Sequence, residues 1–159
     1  MPKPSNNPIC PQPPLKPTTS HSDYAAGNPQ NSTSKTNTMA PSVTIRTQPP
    51  SQVQQNTTMT PSPELRVEFD NTDPRASRAG EMIFRCDVFS AAGECVKTIY
   101  DPLPYVSQFG HRVFMDSTFS GIRIADKGTY YLNLSVTLVD GTVGRETLGN
   151  ATTNYFEVY

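Results

Sequence analysis

The sequence predicts an all-β sandwich over residues 42–159, preceded by a disordered Pro/Ser/Thr/Asn-rich tail over residues 1–41. Three observations carry this. Tyr130, Leu132, Leu134, Val136 and Leu138 alternate with Asn133, Ser135 and Thr137, the pattern of a long strand with one packed and one wet face. No apolar periodicity of 3.6 runs for more than two turns, whereas short alternating segments recur between polar turns. Thirteen of the sixteen prolines fall at or before Pro63, and residues 1–41 hold only Ile9, Leu15, Tyr24 and Met39 as apolar residues larger than Ala. That is too little burial to offset the entropy of folding, whereas residues 42–159 suffice for one core.

The elements follow in order. Val43 and Ile45 point inward from a first short strand, which Gln48-Pro49-Pro50 ends because proline cannot donate to a ladder. A polar loop runs to Pro63. Leu65, Val67 and Phe69 alternate with Arg66 and Glu68 as a second strand, and Asp70-Asn71-Thr72-Asp73-Pro74 is turn chemistry. Met82 to Phe89 forms a third, turned by Ala91-Ala92-Gly93-Glu94 into Cys95 to Tyr100 as a hairpin partner. Val113-Phe114-Met115 and Gly121-Ile122-Arg123-Ile124 read as two further strands before the long one. Asp140-Gly141 with two later glycines reads as the last connection, and Thr153 to Tyr159 closes the domain with Phe156 and Val158 inward. Asp126-Lys127-Gly128-Thr129-Tyr130 is similar to the tyrosine corner of immunoglobulin-like sandwiches, in which the tyrosine hydroxyl bonds back to the backbone. The second disulfide cysteine of an antibody domain would fall at Leu132, so the core is built without that bridge.

Composition excludes several functions. The tail carries three Lys against Asp23, or +2, and residues 42–159 carry ten Lys plus Arg against thirteen Asp plus Glu, or −3. General affinity for phosphate backbones selects the opposite sign, so binding to nucleic acid would need a local basic patch. No eighteen-residue apolar run spans a membrane, and Met1-Pro2-Lys3-Pro4 opens no signal peptide. Cys86 and Cys95 could face each other across the hairpin, yet an odd count of three with Cys10 favours free thiols in a reducing compartment. No carboxylate pair, Ser-His-Asp arrangement, glycine-rich phosphate loop or CxxC motif stands out, and His111 has no ligand partner at metal spacing. No enzyme, metal, cofactor or small-molecule substrate is expected.

Laid end to end, the segments resemble the velvet domain of fungal developmental regulators. Val43-Thr44-Ile45-Arg46-Thr47-Gln48-Pro49 looks like the family's opening Leu-x-Ile-Arg-Gln-Gln-Pro, and Met59-Thr60-Pro61-Ser62-Pro63-Glu64-Leu65-Arg66-Val67 like its proline cluster and second strand. Phe84-Arg85-Cys86-Asp87-Val88-Phe89-Ser90-Ala91-Ala92-Gly93 is similar to its strand ending in a glycine turn. Phe119 to Leu132 resembles Leu-Ser-Val-Arg-x-x-Gly-x-Tyr-Arg-Leu, and Tyr155-Phe156-Glu157-Val158-Tyr159 its closing Pro-Phe-x-Val-Tyr. The resemblance covers residues 42–159. It implies a Rel-like sandwich, homo- or heterodimers with another velvet-family protein, double-stranded DNA as a further partner, and regulation of sporulation and secondary metabolism from nucleus and cytoplasm. Two departures bear on mechanism. Where the family has a basic loop, Pro50 to Thr58 carries no charge, and the chain stops at Tyr159 where the family continues. Autonomous DNA binding is therefore expected to be weak or partner-dependent, the alternative being an interaction module that pairs with or titrates another velvet-type protein without touching DNA.

Candidate residues follow. Arg46 suits a phosphate or a guanine edge, and Gln48 in the same loop suits an adenine. Arg75 and Arg78 flank Pro74 as a small basic patch, with Asp70, Asp73 and Glu81 close enough in sequence to neutralise it. The polar face Tyr131, Asn133, Ser135 and Thr137 is one pairing surface. Asp126, Gly128 and Tyr130 form the structural corner.

Overall fold

The computed structural model describes residues 39–101, 103–142 and 144–159, so all but the last three residues of the expected tail lie outside the described ones. Ten strands follow in chain order: β1 Ser42–Thr47, β2 Gln52–Val53, β3 Glu64–Asp70, β4 Met82–Ser90, β5 Cys95–Asp101, β6 Tyr105–Phe109, β7 Arg112–Thr118, β8 Gly128–Asp140, β9 Gly144–Thr152 and β10 Phe156–Val158. Two 3-10 turns, Pro74–Ser77 and Ala79–Glu81, join β3 to β4. The strands make two sheets. The first has the order β1-β3-β7-β6 and is antiparallel throughout. The second has the order β2-β10-β8-β4-β5, with β9 also on β8.

Alternation sets the core. Leu65, Val67 and Phe69 of β3 face Met82, Phe84, Cys86 and Val88 of β4 and the Tyr130-to-Leu138 stripe of β8 within one buried cluster. Most of these side chains are removed from water entirely, and each contributes about 1.5–3 kcal/mol by that transfer. The long strand extends two residues beyond each end of its apolar stripe, and its polar residues face outward, as its period requires. Arg66 and Asp116 stand directly opposite on β3 and β7, where the guanidinium grips the carboxylate at 2.7 and 2.6 Å and lies 4.6 Å above the Phe114 ring.

Three expectations are corrected. Gly121 is a turn residue at φ +74° and 122–124 carry no strand, so the segment joins no ladder. Its carbonyls are taken by the preceding loop instead, Met59 N–H donating to Ile122 at 2.9 Å and Asn56 N–H to Ile124 at 2.9 Å. The glycine-bearing connection after Asp140 is itself a strand: β9 pairs with β8 from Asn133↔Thr152 to Asp140↔Gly144, with a bulge where Val136 and Thr137 face Gly149 and Thr147. The loop expected up to Pro63 holds β2, and the edge strand β6 lies in a stretch where the sequence predicts no element.

Thr153 explains how β9 passes into β10. Its hydroxyl accepts from Leu132 N–H at 2.9 Å while its own N–H donates to Leu132 O at 2.9 Å, so the two strands run along β8 as one interrupted strand. Cys86 is a buried free thiol, so no Cys86–Cys95 bridge forms. Cys95 is half-buried and disulfide-bonded, against the free thiol expected of it.

Candidate functional site

The corner is structural. Tyr130 Oη donates to Asp126 O at 3.1 Å, and its ring lies 6.2 Å from that of Phe156. Burial pushes the Tyr130 hydroxyl up from its ordinary value, with the Asp126 charge as a smaller cause. Gly128 has φ +152°, and a Cβ there would sit 3.4 Å from the Tyr130 ring, so the tight turn and the ring share one space. This side chain is committed to packing and leaves nothing for a ligand.

The expected pairing surface is the outer face of the second sheet. Tyr131, Asn133, Ser135 and Thr137 all lie on it, half-buried, with β4 on one side and β9 on the other. Register extends the face into rows. Asn133 is flanked by Asp87 and Thr152, Ser135 by Arg85 and Asn150, and Thr137 by Ile83 and Thr147. Asp87 is buried even on this outer face, because Arg85 Nε and Thr98 Oγ1 close over its Oδ1 at 2.9 and 2.6 Å. At one end Phe89 stacks on Tyr131 at 5.3 Å and Tyr155 meets Tyr131 edge-on at 5.3 Å. At the other a shallow cleft of about 660 Å³ is lined by Ile83, Arg85, Tyr100, Thr137 and Arg145 among others. The face is thus polar in the middle and aromatic at one end, with a cleft of mixed apolar and charged lining at the other, a composition suited to a protein partner.

The four DNA candidates are not brought together. Arg46 sits at the end of β1 beside Glu64, whereas Arg75 and Arg78 follow the opposite end of β3. A seven-residue strand, roughly 20 Å, separates them. Arg46 Nη1 lies 3.5 Å from both Glu64 and Asp116. Gln48 is occupied as a cap, its Oε1 accepting from Asn154 N–H at 3.0 Å. Arg75 holds Asp73 at 2.7 Å and Glu146 at 2.9 Å, and Arg78 holds Glu81 and, at 2.8 Å, Asp140. The Arg75 guanidinium keeps the buried Asp73 carboxyl below its usual range, and Arg78 does the same to Glu81. Asp70, the third expected neutraliser, instead accepts from Thr72 N–H and Oγ1.

Cations that the sequence did not single out stand apart from these carboxylates. Lys97 Nζ donates to Arg123 O at 3.3 Å, and Arg123 Nε donates to Thr58 Oγ1 at 2.9 Å. The two residues are 26 apart, so only the fold makes them neighbours. No group of His, Cys, Asp and Glu suited to a metal occurs among the described residues, and none of their helices is long and apolar enough to cross a membrane. No protein-family model matches the chain, and no curated protein matches it.

Proposed function

We propose that the chain is a velvet-like transcriptional regulator of fungal development and secondary metabolism, working by pairing with another velvet-type protein and contacting DNA weakly or only with that partner. One observation supports pairing over autonomous DNA recognition: the commitment of its guanidinium groups. Arg46, Arg66, Arg75, Arg78, Arg85 and Arg112 each lie in an ion pair within the chain. Each would have to leave a carboxylate, at a cost, before it could displace a counterion from a phosphate.

The interval that carries a basic loop in the velvet family supports the same reading. Here Gln55 N–H donates to Tyr159 O at 3.0 Å and Asn56 N–H to Ile124 O at 2.9 Å, which pins an uncharged loop to the sandwich. The same observation favours the second reading, a module that titrates a velvet-type partner without DNA. Nuclear and cytoplasmic location belongs to the proposal.

The test is co-purification of the full chain with a velvet-type protein from the same cells, followed by Asn133→Arg and Ser135→Arg on the outer face. Complex formation that both substitutions abolish supports the reading. No complex with any velvet-type protein, from a chain whose circular dichroism is that of a folded β protein, sinks it.

A further inference from the structure

We infer that β6 is a self-association edge, through which two copies of this chain pair antiparallel to join their first sheets into one. The inference does not rest on the velvet reading, since it uses the edge of the first sheet and not the outer face of the second.

β6 ends the order β1-β3-β7-β6, so one side of its backbone is bonded to β7 and the other has no strand among the described residues. Edges of this kind are ordinarily blunted by charge, proline or a covering loop. Tyr105-Val106-Ser107-Gln108-Phe109 carries neither charge nor proline. Its apolar side chains are instead turned to water on both faces: Phe109 is 84% and Tyr105 72% exposed on the outer face, and Val106 46% on the inner. On the inner side runs a groove of about 550 Å³ between β6 and the Asp73–Ser77 turn, lined by Val106, Val113, Pro74 and Ala76.

A second copy fits this edge because the strand is complementary to itself. Antiparallel pairing about a two-fold axis at Ser107 sets Tyr105 opposite the other copy's Phe109, twice, and Val106 opposite Gln108, twice. Aromatic cross-strand pairs of this kind stabilise a ladder, and no like charges meet. The other copy's Val106 then falls on the inner face, at the mouth of the groove. The contact is isologous, so it closes at two copies and leaves no further β6 edge. Its size sets its strength. An aromatic side chain buries roughly 150–250 Å². Two Tyr105 and two Phe109 with the strand backbones therefore bury on the order of 1,000 Å², the range of transient complexes rather than permanent dimers.

Sedimentation equilibrium of the full chain over a concentration series tests this. The apparent mass should rise from 17.5 kDa toward twice that value and no further. Tyr105→Lys and Phe109→Lys, both at exposed positions, should hold it at the monomer mass while circular dichroism stays unchanged, and Tyr131→Ala on the other sheet should leave the rise intact. Ser107→Cys reads the register. In the two-fold ladder its Cα lies about 4.5–5.5 Å from its counterpart, within disulfide reach. The cysteine of Tyr105→Cys lies about 13 Å from its own counterpart. Oxidised Ser107→Cys should thus run as a covalent dimer that the parent chain and Tyr105→Cys do not form. A monomer mass at every soluble concentration, open-ended association, insensitivity to Tyr105→Lys and Phe109→Lys, or equal crosslinking at positions 105 and 107 each overturns the inference.

Discussion

Gly149 of β9 lies directly against Val43 of β1, so close that a Cβ at Gly149 would sit 2.6 Å from Val43 Cγ2 and 3.2 Å from Val43 Cβ. The two strands belong to different sheets, and this contact draws one edge of each together along the side of the sandwich. Gly149→Ala should destabilise the domain by about 1–3 kcal/mol, since the neighbour is a stiff β-branched side chain. Val43→Ala removes the atom nearest the clash, so the double variant should be more stable than the sum of the two losses. Denaturant midpoints of the four chains measure this, and strict additivity would contradict the contact.

The corner makes a narrower prediction. Tyr130→Phe keeps the ring packed on Phe156 and deletes only the bond to Asp126 O. Its loss should be about 1 kcal/mol, the worth of one hydrogen bond. A cost several times larger would mean that the hydroxyl supports more than this bond.

Acid sensitivity should trace in part to Asp73. Hydrogen bonds from the Arg75 guanidinium, and then from its backbone N–H, hold the carboxyl below its ordinary value. The folded value lies below the unfolded one, so this stabilisation is present above about pH 4 and is lost as pH falls through the folded value. Asp73→Asn should lower stability at neutral pH by about 1–3 kcal/mol and flatten the decline on acidification. Unfolding midpoints of both chains from neutral to acid pH check it. Parallel pH curves would show that Asp73 contributes nothing to the acid limb.

Cys86 should be inert while the domain is folded. Burial, with a smaller push from Asp87, raises its thiol from 9.0 to about 12. The thiolate, the reacting species, is then about a thousandfold scarcer at pH 8 than for an ordinary cysteine. An alkylating reagent followed by mass spectrometry should leave Cys86 unmodified in the native chain and label it after unfolding. Fast labelling without denaturant would contradict its place in the core.

Much of this was legible because burial leaves a period of two. β3, β4 and β8 each have one packed face, and their apolar residues alternate accordingly. β9 hides for the opposite reason. It is largely exposed, it contributes only Leu148 and Ala151 to the edge of the core, and its bulge breaks the alternation. β6 is exposed on both faces and shows no alternation at all. Gly121–Ile124 misled because Ile122 and Ile124 are buried without a ladder. At the candidate sites, the outward set Tyr131, Asn133, Ser135 and Thr137 follows from one strand's period. The fate of Arg75 and Arg78 does not, because Glu146 and Asp140 lie 71 and 62 residues away.

Fluorescence anisotropy of the full chain with short mixed-sequence duplex DNA, across a salt series, tests most directly whether its arginines are committed to the fold. Committed arginines predict little binding at low salt and a nearly flat dependence, since each phosphate neutralised adds only about 0.9 to the logarithmic slope. Tight binding that collapses steeply with salt, and that Arg46→Ala or Arg123→Ala weakens, would contradict it and make the chain a DNA-binding protein in its own right.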